Sequence, residues 1–126
     1  QAFGDCIEIL LTHNPLNIAD AEDFVKSESC GGVVTFTGMV RNATKGKQVL
    51  RLAFEAYEPM AVKEMRKIAE QALAQFSIER IAIHHGLGVL PIGGIPVIIS
   101  VASAHRGAAF DACEFAIDAL KETVPN

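Results

Sequence analysis

The sequence predicts a single α+β domain, built on a mostly antiparallel sheet with about three helices. Leu50, Leu52, Phe54 and Ala56 alternate with Arg51, Ala53, Glu55 and Tyr57, the two-residue period of a half-buried strand. The continuous apolar run from Val97 to Ala102 suits a central strand buried on both faces. Three further stretches, after Asn17, Pro59 and Arg106, carry apolar residues at helical spacing. The chain has 126 residues, 50% of them hydrophobic, which fits one domain over 1–126 with one modest core. No linker, internal repeat or low-complexity tract divides it.

In chain order, Cys6 to Leu11 is a short apolar run with the length of a strand. Asn17 can cap a helix running through Lys26, with Ile18, Ala21, Phe24 and Val25 on its inner side. Gly31-Gly32 opens a β-rich stretch through Gly38. Arg41 to Lys47 is polar and reads as a mobile loop. After the alternating strand, Pro59 suits a first helical turn. Val62, Met65, Ile68, Ala69, Ala72, Leu73 and Phe76 then mark one helix face, with Lys63, Glu64, Arg66, Lys67 and Glu70 outside. Ile81 and Ile83 suggest another strand. The Gly- and Pro-rich stretch 86–96 must turn or bulge. A last helix spans about Gly107 to Glu122, with Phe110, Cys113, Ile117 and Leu120 as its apolar stripe.

The net charge of −4 argues against general nucleic-acid binding through a basic face. No apolar run approaches the ~20 residues of a membrane-spanning helix. Gln1 to Asp5 has neither the basic start nor the apolar core of a signal peptide. Cys6, Cys30 and Cys113 are odd in number, widely scattered and without a CxxC pair, so they read as free thiols in a cytoplasmic protein. His84 and His85 are adjacent on a strand and point to opposite faces, so no metal site is expected from them. Asp111, Glu114 and Asp118 read as a solvated helix face. Nucleophile elbow, phosphate loop and dinucleotide fingerprint are all missing.

The strongest chemical device is the junction Ser103-Ala104-His105-Arg106-Gly107. A buried strand ends there and a helix begins, so unpaired N–H groups and the positive dipole end face outward. A guanidinium and an imidazole beside them suit a phosphate or carboxylate. A capped helix start with two solvated side chains is the plainer alternative. Arg41 follows a buried strand and opens a loop, where functional side chains commonly sit. Lys121 lies at the far end of the last helix, where it also complements the dipole. Fifteen helical steps from Arg106 to Lys121 span roughly 22 Å. Both cations cannot easily meet at one small ligand within a subunit. They serve either one site built from two chains or two different sites.

Five segments resemble the signatures of one family, the large catalytic subunit of molybdopterin synthase (MoaE). They are Val33-Val34-Thr35-Phe36-Thr37-Gly38-Met39-Val40-Arg41-Asn42, Glu55-Ala56-Tyr57-Glu58-Pro59-Met60, Ile83-His84-His85-Gly86-Leu87-Gly88, Ser103-Ala104-His105-Arg106 through Ala109-Phe110, and Leu120-Lys121 with Val124-Pro125. Each is weak alone, but their order covers nearly the whole chain.

The resemblance implies an α/β hammerhead fold and a sulfurtransferase of molybdenum cofactor biosynthesis, with no cofactor of its own. Its substrate would be cyclic pyranopterin monophosphate, converted to molybdopterin by forming the dithiolene. The partner would be a small ubiquitin-like sulfur carrier (MoaD-like) with a C-terminal Gly-Gly thiocarboxylate, around a homodimer within a heterotetramer. The family's binding and catalytic positions fall on Met39, Val40, Arg41, His105, Arg106 and Lys121, with Lys121 and Arg41 nearest the chemistry and the His-Arg pair supplied by the neighbouring subunit. The family continues past Val-Pro with an aromatic-Lys-Lys/Arg-Glu segment holding a second active-site lysine. This chain stops at Asn126, so that tail is expected to be disordered or trimmed. Gly93-Gly94, where the family often has Gly and an acidic residue, reads as loop variation far from these motifs. A dimeric regulatory module binding a small anion, or a scaffold docking the ubiquitin-like partner, remain the other classes. Lys121→Ala would leave the regulatory module largely intact, whereas the scaffold would bind the partner yet ignore the pterin.

Overall fold

A computed structural model describes residues 4–41, 49–51 and 58–123. A short 3-10 turn, Gly4–Cys6, leads into β1 (Ile7–Thr12), then α1 (Ile18–Val25), β2 (Gly32–Thr37) and β3 (Val49–Arg51). There follow α2 (Glu58–Gln75), β4 (Arg80–Gly86), β5 (Val89–Pro91), β6 (Val97–Ser103) and α3 (Arg106–Thr123). Of the expected strand over 50–57, Leu50 and Arg51 lie in β3 and the remainder lies outside the described residues, as do 42–47 of the expected loop.

The four-stranded sheet has the order β1-β4-β6-β2. β6 pairs antiparallel with both neighbours, while β1 runs parallel to β4, so the sheet is mixed with antiparallel pairing dominant. All seven residues of β6 are buried, as its unbroken apolar run demands. β3 and β5 form a separate antiparallel pair.

Side-chain alternation divides the sheet into two unlike faces. Ile81, Ile83, Val97, Ile99 and Val101 point to one face, where α2 and α3 cover them with Met65, Ile68, Ala112 and Ala116. Each large aliphatic side chain buried here contributes on the order of 1.5–3 kcal/mol. Ala82, Ile98 and Ala102 point to the other face, under Ala21 and Val25 of α1. Asn17 caps α1, its side chain accepting from the Ala19 N–H at 2.8 Å. On this second face Thr35 donates to Glu22 Oε2 at 2.8 Å and lies 2.9 Å from Ser100 Oγ. Since Thr35 has one hydroxyl proton, the buried Ser100 must donate to it. The relay ties α1, β2 and β6 together.

Each of the three helical stripes differs from expectation at one residue. Ile18 and Val62 stand at the rims of their apolar faces, near the amino ends of α1 and α2, 38% and 37% exposed. Phe110 is 57% exposed. On α3 the core-facing positions are filled by Ala109, Ala112, Cys113, Ala116 and Leu120, and Phe110 lies one step round the helix from them.

Candidate anion-binding site

The Ser103–Arg106 junction is built as its residues suggest. β6 ends at Ser103 and α3 begins at Arg106, leaving Ala104 and His105 as an exposed turn. Ser103 is fully buried, and its hydroxyl donates to the His105 carbonyl. From below, the Gly31 N–H donates to the Ser103 carbonyl at 3.0 Å. A Cβ on Gly31 would lie 2.4 Å from the Ala104 carbonyl oxygen, and one on Gly32 would lie 3.6 Å from Arg106 Cβ. Two adjacent glycines therefore let β2 pass directly beneath the turn that carries His105 and Arg106. The Gly31-Gly32 pair was visible in the sequence, but its partner was not. Both His105 and Arg106 are exposed, at the amino end of an eighteen-residue helix.

Met39, Val40 and Arg41 prolong β2 at its other end. The Gly38 N–H donates to Val97 O at 2.9 Å, the Val40 N–H to Gly94 O at 3.0 Å, and the Gly93 N–H to Val40 O at 2.8 Å. The Gly93-Gly94 turn is thus bonded to a motif residue, which corrects its reading as variation far from the site. Gly93 has φ 85°, a conformation that favours glycine. Val40 is buried, while Met39 at 63% exposure and Arg41 face outward. Val40 can offer a ligand little side-chain surface. Its anchored backbone sets where its two exposed neighbours project.

Lys121 is exposed in the last turn of α3. It lines a groove of about 460 Å³ between β2 and α3, with Val34, Phe36, Phe110, Ile117 and Asp118. α3 leaves β6 through a two-residue turn and returns over β6 and β2, so its carboxyl end lies towards the Thr37 end of β2. The register pairs Gly32 with Ser103 and Thr37 with Ile98. Lys121 and Arg41 therefore share one end of the sheet, and His105 with Arg106 occupies the other. One chain does not bring the four together.

The remaining candidates settle into structural surroundings. His84 and His85 do point to opposite faces. His84 is buried with Nε2 2.9 Å from Glu8 Oε1, and its Nδ1 has no partner among the described residues. His85 donates from Nδ1 to the Gly86 carbonyl at 2.8 Å, and burial pushes its pKa down. Among the described residues no group of three or more His, Cys, Asp or Glu is placed to hold a metal ion. The three cysteines are unpaired. Burial raises the Cys113 thiol to about 11, and it also raises Cys30. Hydroxyl donors, Ser29 foremost at 2.7 Å, hold the Glu79 carboxyl below its usual range. Among the described residues no helix is long and apolar enough to cross a membrane.

A mixed sheet between unequal helical layers, with an exposed His-Arg helix mouth and a lysine-ended groove, defines an α+β domain. Residues 11–123 match the family described as MoaE protein, and the chain belongs to that family. It is 43% identical over 116 residues to molybdopterin synthase catalytic subunit 1 of Aedes aegypti, covering 91% of this chain and 75% of that protein. It is 42% identical over 117 residues to the molybdopterin synthase catalytic subunit of Bos taurus, covering 93% and 62% respectively. The crystal structure of molybdopterin synthase from Staphylococcus aureus superposes with a TM-score of 0.78 at 34% identity, over 94% of this chain and 85% of that one.

Proposed function

We propose that the chain is the catalytic subunit of a molybdopterin synthase, transferring sulfur to cyclic pyranopterin monophosphate to form the dithiolene of molybdopterin. The observation that carries this is the family match over 11–123, which contains every candidate site residue from Met39 to Lys121. The relatives are named as catalytic subunits, which fits an enzyme that needs a second subunit. In this reading that subunit is a small ubiquitin-like carrier, which delivers sulfur as a C-terminal Gly-Gly thiocarboxylate. Its extended tail enters the groove beside α3, ending near Lys121.

The four cationic or ionisable side chains divide the work. Arg41, with Arg106 and His105 of a second copy, holds the cyclic phosphate and the polar pterin edge. Guanidinium groups suit phosphate because two parallel N–H donors meet two oxygens. The thiocarboxylate sulfur bonds to a pterin carbon. Water then attacks the acyl carbon, and the acyl–sulfur bond breaks to leave a carboxylate on the carrier. Lys121 stabilises the oxyanion formed on the way. Met39 supplies an apolar wall. The opposite placement of Arg41 and Arg106 along β2 supports a site shared by two chains. A cytoplasmic location belongs to the same reading, and three unpaired thiols fit a reducing compartment.

The test is product formation from thiocarboxylated carrier and cyclic pyranopterin monophosphate, using the full-length protein, Lys121→Ala and residues 1–126. Dithiolene product from the full-length protein, lost in Lys121→Ala, is the expected result. Loss in residues 1–126 alone would assign an essential step to the family's C-terminal extension. Carrier binding without product in an intact full-length dimer would leave a docking scaffold instead.

A further inference from the structure

We propose that Ser103 is a positioning residue for the anion site: its buried hydroxyl fixes the turn from which His105 and Arg106 project. This role rests on the function proposed above, in which those two side chains meet the substrate's cyclic phosphate.

Ser103 is the last residue of β6 and has no exposed surface. The strand carries a second buried hydroxyl, Ser100, which Thr35 and Glu22 engage on the α1 face. By alternation Ser103 belongs to the opposite face. Its hydroxyl donates to the carbonyl of His105, two residues on. A hydroxyl bonded to its own backbone at that spacing builds a turn. Stability alone gives little reason for it. A hydrogen bond made on burial mostly replaces one to water, and alanine would suit the same apolar surroundings.

What the bond does is geometric. Ala104, His105, Arg106 and Gly107 are all exposed, so packing of their side chains does not hold the turn. It is gripped from beneath, through backbone. The Gly31 N–H donates to the Ser103 carbonyl at 3.0 Å, and Gly31 backs against the Ala104 carbonyl. Those contacts end at Ala104. The Ser103 hydroxyl carries the hold one residue further, to the His105 carbonyl and so to the peptide plane joining His105 to Arg106. Because that plane is rigid, fixing its carbonyl also fixes the opposed Arg106 N–H and the start of α3. Both functional side chains hang on its two Cα atoms. Lys121, in the last turn of α3, and Arg41, past the other end of β2, lie beyond its reach. Loss of the hydroxyl therefore blurs phosphate binding and spares the chemistry at Lys121.

The test is calorimetry with cyclic pyranopterin monophosphate and steady-state kinetics with thiocarboxylated carrier. The full-length wild type is compared with Ser103→Ala and Ser100→Ala, with urea midpoints to verify folding. Ser103→Ala should weaken binding and raise KM about tenfold while kcat stays within about twofold. Ser100→Ala, which removes the other buried hydroxyl of β6, should leave binding and KM within about twofold of wild type. Lost positioning must act through what is positioned. In an Arg106→Ala background the effect of Ser103→Ala on binding should shrink to about threefold or less, and in Lys121→Ala it should stay near tenfold. A folded Ser103→Ala that binds as the wild type does overturns the proposal. So does an equal loss in Ser100→Ala, which would mean general loosening of β6, or an undiminished loss in the Arg106→Ala background. If Ser103→Ala fails to fold, Ser103→Cys, close in shape but a weak donor, decides by the same comparisons. A wild type that binds the substrate but makes no product sinks the sulfur-transfer reading and leaves the Ser103 test to binding alone. Product formation with unmoved binding in Ser103→Ala does the reverse. A wild type that binds no substrate sinks both.

Discussion

Gly31 passes so close beneath Ala104 that a single methyl group on it would stand 2.4 Å from the Ala104 carbonyl oxygen. Real side chains do not tolerate that approach, and the opposing atom is backbone, so Gly31→Ala must move the turn. The expected cost is about 1–3 kcal/mol, the range for overpacking a fitted site. Because His105 and Arg106 ride on that turn, KM for the phosphate-bearing substrate should rise more than kcat falls. Gly107→Ala is the control, since a Cβ there meets nothing within 4 Å. It should be neutral or stabilise by up to about 1 kcal/mol as an alanine in a helix. Urea unfolding with steady-state kinetics reads both, and equal behaviour of the two variants would refute the close-contact argument.

Thr35→Val should cost on the order of 1–3 kcal/mol in urea unfolding, although it preserves shape and adds apolar surface. It removes the shared hydroxyl and leaves the fully buried Ser100 without the acceptor that Thr35 supplies. Adding Ser100→Ala should recover part of the loss, because the unsatisfied donor goes with it. Additive losses would mean that the relay does not couple β2 to β6.

The local signals in the sequence became structure where one physical cause governed them. Asn17 caps α1, the unbroken Val97–Ala102 run is the buried centre of the sheet, and the α2 stripe buries Met65, Ile68, Ala69 and Ala72. Parallel pairing of β1 with β4 joins residues more than seventy positions apart, and strand composition does not encode direction. Phe110 was misplaced because Ala109, Ala112 and Ala116 hold the core-facing side of α3, and Phe110 lies one step round the helix from them. The candidate site was readable only as residue types, with Arg106 and Lys121 near opposite ends of α3. Its support was not: Gly31 under Ala104 and Gly93-Gly94 beside Val40 are contacts between remote segments.

Thiol chemistry should rank the cysteines by burial. Cys113 is 4% exposed and its thiol is raised to about 11, whereas Cys6 and Cys30 are half-buried. In the native protein at about pH 8, alkylation followed by mass spectrometry should label Cys6 and Cys30 well before Cys113. The raised acid also has a stability consequence. Its protonated form is favoured by folding, so that contribution is complete below the unfolded value of 9.0 and is lost as pH rises towards about 11. Cys113→Ser should flatten this alkaline limb, and an unchanged limb would assign it to another group.

His85 gives the opposite dependence on the acid side. Burial disfavours its charged form and lowers its pKa from the usual 6.5. The unfolded chain then binds a proton more readily than the folded one, so stability is complete above about pH 6.5 and declines as pH falls below it. The slope from one such group is at most ~1.4 kcal/mol per pH unit. The Nδ1–H bond to the Gly86 carbonyl opposes the shift but does not cancel it. Urea midpoints at about pH 7.5 and about pH 5.5 should differ more for the wild type than for His85→Gln. Glu79, held low by hydroxyl donors, loses its contribution only below the usual carboxyl range near 4.5, so the two windows are separable. If His85→Gln keeps the whole decline between the two pH values, another group is responsible and the burial of His85 carries no pH sensitivity.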